Sequence, residues 1–540
     1  MSQLATQIPR TTIVMIARER HALTEAAIEC VVANTLKPYR LIYTDGQTPE
    51  WLWQRLEQRA PEWGLELVRH NEPLWPQELR NRVLSSISSD YVVFIDNDVQ
   101  VASGWLEKMV TCADETKAGM VGPLYLWGDG QNKPKIHMSS GSLTHINTPQ
   151  GMVMTEHHDL VDAYPDEVAE QLIRKPCGFV EFHCMLLRTE VLKKMGSLDA
   201  SILNVHEHID TALSVKKQGY TVYTEPAAQV TYLAYAPYVL DDVPIHRWRW
   251  AEAPTETSIR NFCQKWGILD EPQGFAGVRN LTKKLVMDVD PLRLSCINSP
   301  NLNAPMRRDQ LLQTRSDLLD KAAEHGYARE EIKLLSNAYR LAQALTDGGY
   351  RPCGRPFINH LVDAASVLMH YGFKIEIVLA AMLHSLYSHG SNHHNGVSAA
   401  VKAVADMLGG KDSAVESRVR AYTLHGEDFS AWLSQTPRTL SVFDAEVIIL
   451  AIVNQIEMRL SGEIAYSGRG DDLPAAFEQL AMHVCKVLGV SGLSETLINS
   501  KNISAVAPEL QTKIPVSYRL QADKKRATPM KNNLLDALGK

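Results

Sequence analysis

The chain has 540 residues, of which 45% are hydrophobic and 22% are charged, and its formal net charge is -7. A chain of this length exceeds one hydrophobic core and predicts roughly two to four domains. The acidic balance argues against nucleic acid as a partner. The eight cysteines include no C-x-x-C pair, which is typical of a reduced, cytoplasmic protein. No apolar run approaches the roughly 18 residues of a membrane span, so we expect no transmembrane segment.

Short apolar runs alternate with amphipathic segments at the start of the chain. Strands are predicted at Ile13–Ile16, Tyr39–Tyr43 and Leu65–Arg69, with helices over about 23–34 and 51–62 between them. This alternation is typical of a parallel α/β sheet with right-handed crossovers.

The stretch Asp90–Val99 combines a buried strand with two acids. Tyr91–Ile95 is apolar without alternation, which predicts a central strand covered on both faces. Asp96 and Asp98 follow it, and alternate residues of an extended chain point the same way. Two carboxylates there could hold Mg²⁺ or Mn²⁺. The alternative is a turn in which these side chains accept hydrogen bonds from backbone N–H groups.

Other polar residues follow neighbouring predicted strands. Asp45 follows one strand and Asn71 follows the next. Ligands bind at the carboxyl ends of the strands in open α/β sheets. We therefore expect both residues to share one edge with Asp96, although each could separately be a turn former.

Several segments together carry a family resemblance. They are, in order, Ile13–Arg20, Tyr43–Gly46, Asn71 with Leu79–Asn81, Phe94–Asp98, Gly196–Asp199 and Glu207–Asp210. In order and spacing they resemble the motifs of the inverting GT-A glycosyltransferases of family two, over about residues 11–250. The resemblance implies an α/β GT-A (Rossmann-like) nucleotide-sugar domain.

The resemblance also implies roles for single residues. Asp45 would lie near the nucleobase, and Arg80, with Asn81 beside it, near the ribose or diphosphate. Asp96 and Asp98 would be the D-x-D pair that holds the divalent metal on the diphosphate, with Asp96 also at the nucleotide. For Arg80 the alternative is a surface salt bridge at the start of a helix over 80–88.

Inversion requires a base that deprotonates the acceptor, and the resemblance implies that it lies in Glu207–Asp210. His208 stands where the family usually has Asp, so the base is left between Glu207, which we prefer, and His208. Asp210 belongs to the same cluster and is also placed to cap the following helix.

The chain departs from the family at the third metal ligand as well. Tyr232 stands where a histidine is usual. The metal would then be held by the two acids, the diphosphate and water, or by His246 arriving from the next segment. Cys177–Phe182 is interpreted as the strand before the acceptor site, and the polar stretch from about His137 to His158 as a loop over the acceptor.

The predicted domains follow from these patterns. The GT-A domain is expected over 1–250, a proline-punctuated connector over 251–307, an all-α domain over 308–495 and a polar C-terminal tail over 496–540.

Two segments of the all-α domain, Arg355–Leu361 and Ala380–Tyr387, resemble the first half of the HD-type metal phosphohydrolase fold. His360 and His384 match two of the ligands that active members need. Ser385 replaces the Asp of the His-Asp pair, and Asn454 is the nearest candidate for the last Asp. The resemblance implies an HD-like domain that has lost metal ligands and serves binding or scaffolding.

The expected function is metal-dependent, inverting transfer of a hexosyl group from a nucleotide sugar, with UDP as the favoured nucleotide. The acceptor is open among a glycan, a lipid carrier, a peptide and a small molecule, and the chain also leaves homo-oligomer formation open. One alternative makes the all-α domain a phosphohydrolase regulated by the N-terminal domain. Another makes the chain a non-catalytic nucleotide-sugar binding protein.

Overall fold

The computed structural model describes residues 10–293, 301–351, 354–389, 397–410, 413–425, 440–464 and 473–504. Contacts divide the chain into two units, Met1–Asp288 and Val289–Lys540. Within the described ranges, no helix is both long enough and apolar enough to cross a membrane.

Four parallel strands begin the sheet of the first unit. They are β1 (Thr11–Ile16), β2 (Arg40–Asp45), β3 (Leu65–Arg69) and β4 (Tyr91–Asp96), in the order β4-β1-β2-β3. Every residue of β1 and β4 is buried, as expected for central strands covered on both faces. The predicted parallel α/β alternation is confirmed. The connecting helices are α1 (Thr24–Asn34), α2 (Glu50–Trp63) and α3 (Pro76–Leu84).

The sheet continues beyond β4 with mixed strand directions. The elements are β5 (Val99–Val101), α4 (Trp105–Thr116), β6 (Met120–Trp127), β7 (Lys135–Met138), β8 (Gly141–Thr148), β9 (Gly151–His158), β10 (Lys175–Pro176), β11 (Cys184–Arg188), α5 (Thr189–Met195), α6 (Glu207–Lys217) and β12 (Val222–Tyr232). The main path is β10-β12-β6-β11-β4-β1-β2-β3, and β8 pairs with β9 in a separate two-stranded sheet. Strand β11 runs antiparallel to β4, with Cys184 opposite Ile95.

Two predicted elements of this region differ in the structure. The expected loop over 137–158 is instead the end of β7 and the hairpin β8–β9. The strand expected at Cys177–Phe182 lies later, at β11, and residues 177–183 form a loop. This loop is fixed by the Tyr125 hydroxyl, which donates to the carbonyl oxygens of Glu181 and Cys184 at 3.0 and 2.8 Å.

Helices α7 (Val243–Arg249), α8 (Glu252–Trp266) and α9 (Pro272–Val289) follow. Ile259 and Phe262 of α8 and Phe275 of α9 are buried in the core of the first unit. Apolar packing therefore joins the beginning of the predicted connector to this unit, and the division falls after Asp288 rather than at residue 250.

The described part of the second unit is helical. It contains α10 (Arg315–Glu324), α11 (Arg329–Thr346), α12 (Phe357–His370), α13 (Ile375–Leu383), α14 (Leu386–His389), α15 (Val397–Leu408), α16 (Ala414–His425), α17 (Val442–Leu460), α18 (Ala475–Leu488) and α19 (Ser491–Ser504). Of the predicted C-terminal tail, residues up to Ser504 are helical, and residues 505–540 lie outside the described ranges.

Candidate functional site

The carboxyl ends of three strands are level with one another. Ile16 of β1 is in register with Thr44 of β2 and with Asp96 of β4. Because neighbouring strands lie about 4.8 Å apart, Asp45 and Asp96 end strands roughly 10 Å apart on one edge. Asp45 is buried, and its Oδ2 accepts from the Thr48 hydroxyl and, at 3.1 Å, from the Gln47 backbone N–H. Asp45 therefore also shapes the turn after β2.

Three cationic or ring nitrogens surround the buried Asp96 carboxylate. Arg18 Nη1 and His183 Nδ1 each lie 3.2 Å from Oδ2, and Arg80 Nη2 lies 3.7 Å from Oδ1. His183 Nδ1 is also 3.0 Å from Arg18 Nη1, so its tautomer decides whether it donates to the carboxylate or accepts from the guanidinium. Burial acts to raise the pKa of Asp96, but His183 and the Arg18 charge outweigh it and hold that pKa below its usual value.

Asp98 is fully buried and only partly neutralised. Its Oδ2 lies 3.5 Å from Arg20 Nη1, whereas no described residue forms a hydrogen bond with its Oδ1. Burial, reinforced by the carboxylates of Asp96 and Glu19, raises the pKa of Asp98 to about 7. An unpaired, buried carboxylate oxygen is costly unless a cation approaches it. The Asp98 oxygen therefore fits the hard dication that the D-x-D resemblance implies.

Arg80 is buried in the second turn of α3, because that helix begins at Pro76 rather than at residue 80. Its guanidinium lies 3.6 Å from the Phe182 ring centroid and donates to Gln77 Oε1 at 3.0 Å. The surface salt bridge considered for Arg80 is therefore wrong. The Asn81 amide donates to the Leu198 carbonyl at 2.8 Å and accepts from the Leu198 N–H at 2.9 Å, so it anchors the chain after α5.

The residues of Glu207–Asp210 diverge at the start of α6. Glu207 Oε1 lies 3.6 Å from Arg249 Nη2, whereas His208 Nε2 lies 3.4 Å from Glu181 Oε1 and forms no hydrogen bond within the part of the chain that the structure describes. Burial lowers the pKa of His208. Asp210 accepts from Trp266 Nε1 and from Lys265 Nζ, each at 2.8 Å. Asp210 therefore ties α6 to α8.

The histidine beside Asp96 is His183, which the sequence interpretation missed. The Tyr232 ring stacks on His183 with centroids 4.0 Å apart. His246 is engaged elsewhere: its Nε2–H donates to the Leu285 carbonyl oxygen at 2.9 Å, and its Nδ1 lies 3.7 Å from Glu19 Oε2. No local pattern identifies His183, because its position depends on the antiparallel pairing of β11 with β4.

A second group of ionisable residues adjoins the first. The histidine cluster, as we call it, consists of His137 on β7, His158 on β9, Glu181 and His208. One ring nitrogen each of His137 and His158 and one oxygen of Glu181 lie within 4.8 Å of one another. The His137 and His183 ring centroids are 5.5 Å apart, so the cluster adjoins the Asp96 site. Burial lowers the pKa values of His137 and His158 and so favours the neutral form of both rings.

In the second unit, the two histidines of the HD-like segments face each other. His360 Nε2 is 3.2 Å from His384 Nε2, and His360 Nδ1 is 2.5 Å from Glu457 Oε2. Glu457, three residues after Asn454, is thus the acid that meets this pair. Among the described residues, no group of three possible ligand side chains in this unit is close enough together to hold one ion.

Part of the first unit is similar to known proteins. Residues 12–196 match Glycosyl transferase family 2. The O-antigen biosynthesis protein RfbC of Myxococcus xanthus is 21% identical over 248 residues, which are 44% of this chain and 18% of that protein. The chain therefore spans less than a fifth of that relative's length.

Two solved glycosyltransferase structures show weaker similarity. One is GalNAc-T7 with UDP, GalNAc and Mn²⁺, at 12% identity over 52% of this chain and 55% of that chain, with a TM-score of 0.36. The other is the mannosyltransferase PcManGT from Pyrobaculum calidifontis in complex with GDP-Man and Mn²⁺, at 15% identity over 70% and 87%, with a TM-score of 0.33. These scores support no residue-by-residue comparison. The match over residues 12–196 supports a glycosyltransferase domain within the first unit.

Proposed function

We propose that the chain transfers a hexosyl group from a nucleotide sugar to an acceptor, with inversion and with a divalent cation at Asp96 and Asp98. The observation that carries this proposal is the buried Asp98 Oδ1, just after β4, which has no hydrogen-bond partner among the described residues. A dication bound there would act as a Lewis acid on the leaving diphosphate. Mn²⁺ or Mg²⁺ suits the oxygen ligands.

The donor side is formed by residues at the strand ends. Arg18 and Arg80 both approach Asp96 and would contact the diphosphate, whose negative charge grows as the sugar bond breaks. Asp45, roughly two strand spacings away, would lie toward the nucleoside. UDP remains the favoured nucleotide because the family resemblance points to it.

The base is proposed to be His208, with Glu207 second, which reverses our preference from sequence. An inverting enzyme needs its base on the face of the sugar opposite the leaving group. Glu207 interacts with the charges of Arg249 and Arg80. Because both arginines also interact with Asp96, Glu207 lies on the side of the proposed leaving diphosphate. His208 points instead to Glu181, whose carboxylate would stabilise the imidazolium formed when His208 accepts a proton.

The second unit is proposed to bind a partner, a carrier or the acceptor rather than to hydrolyse phosphate esters. Ser385 and Asn454 are neutral, and Glu457 faces Nδ1 of His360 rather than the two Nε2 atoms. This arrangement supports hydrogen bonding between helices more than the anionic cage that a hard dication needs.

The test is a panel of nucleotide sugars, each incubated with the full chain and Mn²⁺ or Mg²⁺. Release of nucleoside diphosphate should depend on the metal and should be lost in Asp98→Asn. Thermal stabilisation by a nucleotide sugar without any release, even with candidate glycan acceptors, would favour the non-catalytic binding protein.

A further inference from the structure

We infer that His137, His158 and Glu181 form a second metal site, distinct from the aspartate pair, for a borderline transition metal such as Zn²⁺. The inference starts from geometry. His158 Nε2 and Glu181 Oε1 are 3.5 Å apart, and all three prospective ligand atoms lie within 4.8 Å of one another. Neighbouring ligand atoms around a tetrahedral zinc ion are about 3.4 Å apart, given bonds of about 2.0–2.1 Å.

The ligand chemistry separates this site from the first. Two imidazoles and one carboxylate suit Zn²⁺ and related ions, whereas the two carboxylates of Asp96 and Asp98 suit Mg²⁺ or Mn²⁺. The buried Nδ1 of His137 has no hydrogen-bond partner within the described structure. That unsatisfied atom is a second, independent indication that a ligand is bound here.

Ordered elements present all three ligands. His137 lies on β7, which pairs with β6 of the main sheet. His158 ends the hairpin strand β9, and its ring packs against Phe179 with centroids 5.5 Å apart. Glu181 lies on the loop that the Tyr125 hydroxyl fixes. Such support keeps ligands near the geometry that a metal needs.

Three protein ligands leave a four-coordinate zinc ion one open position. An acceptor hydroxyl bound at this open position would have a lowered pKa. The His208 Nε2 lies 3.4 Å from Glu181 Oε1, so an acceptor hydroxyl bound there would lie near the proposed base. This last step rests on the proposed function, whereas metal binding itself does not.

The experiment is calorimetric titration of Zn²⁺ into chelator-treated full-length protein, with excess Mg²⁺ present to compete at the aspartate pair. We expect one zinc ion per chain. His137→Ala and His158→Ala should each lower the affinity at least about 100-fold, the upper end of the loss from removing only a supporting residue. Co²⁺ bound at the site should give visible absorption bands that both variants lose.

Matched controls separate the site from surface binding. His157→Ala removes the exposed neighbour of His158 on the same strand, and Asp98→Asn alters the other site. Both should keep zinc affinity. Glu181→Gln preserves the side-chain shape, so it should lose affinity without a lower melting temperature. Absence of stoichiometric binding, or equal affinity in wild type, His158→Ala and Glu181→Gln, would overturn the inference. Sugar transfer can be scored in the same samples, so a wild-type protein that binds zinc but transfers no sugar from any nucleotide sugar would refute the proposed function alone.

Discussion

Arg18 Nη1 lies 3.2 Å from Asp96 Oδ2, at the ends of two adjacent strands. The same guanidinium nitrogen is 3.0 Å from His183 Nδ1, so a positive charge already lies between two groups that could ligate a metal. An incoming dication would meet repulsion from Arg18 unless the arginine moved to the diphosphate.

Removing the Arg18 charge should therefore have opposite effects on the binding of Mn²⁺ alone and on the binding of a nucleoside diphosphate with Mn²⁺. In Arg18→Met we expect Mn²⁺ alone to bind about tenfold more tightly, because a repulsion on the order of 1 kcal/mol is lost. Nucleoside diphosphate with Mn²⁺ should bind more weakly. Calorimetry on both ligands measures the change. Arg10→Met, at an exposed arginine beside β1, is the control. Unchanged Mn²⁺ affinity in Arg18→Met would place the metal away from Asp96.

The pH dependence of Mn²⁺ binding should follow Asp98. The pKa of this carboxyl is raised to about 7, mainly by burial, so below that pH a proton must leave before the metal binds. Affinity should fall about tenfold per pH unit below pH 7 and level off above it. Manganese EPR titrations at several pH values give this slope. An affinity independent of pH between 5 and 8, within the precision of about a factor of two, would exclude Asp98 as a ligand.

The base can be identified from the pH–rate profile. Since burial lowers the pKa of His208 below its ordinary value of about 6.5, turnover should be flat above about pH 7.5 and fall on the acidic side, with the midpoint of the fall below about pH 6.5. His208→Asn should lower kcat about 100-fold or more with donor affinity kept, and the acidic limb should disappear. A larger loss in Glu207→Gln than in His208→Asn would return the role to Glu207.

The sequence carried enough information for the centre of the sheet but not for its far side. β4 was predictable because its apolar run has no alternation, and the two acids after it stood out because carboxylates rarely follow such a strand for packing alone. His183 and Glu181 were not predictable, because they reach the site through antiparallel pairing between segments about 90 residues apart. Arg18 had a usable signal, since it follows β1 at the same edge of the sheet where Asp96 ends β4.

The sequence-based prediction failed for the hairpin β8–β9. Residues 141–158 are polar, which favoured a loop, yet they form a hairpin whose strands pair from Gly141 with His158 to Thr148 with Gly151. In the second unit, helical periodicity predicted the helices. It could not show that Glu457, rather than Asn454, meets His360.

The full chain should not release phosphate from nucleotides, including guanosine tetraphosphate, in response to metal. The buried His360 and His384 face each other through Nε2, whereas Glu457 faces Nδ1 of His360, and no three possible ligands among the described residues of this unit come together. Water activation by a metal therefore has no support there. A phosphate-release assay with Mn²⁺, Zn²⁺ or Co²⁺ measures this. Metal-stimulated release that His384→Ala abolishes would instead make the protein bifunctional.

The most direct test of the central claim is calorimetry of nucleoside diphosphates with the full chain in Mn²⁺, using UDP, GDP and dTDP. The account predicts that at least one of them binds only when the metal is present, and that Asp98→Asn removes this binding. The melting temperature of the variant should stay near that of the wild type or rise above it, because the variant no longer buries an unpaired carboxylate. Unchanged, metal-dependent diphosphate affinity in Asp98→Asn, or binding that ignores the metal altogether, would contradict the account.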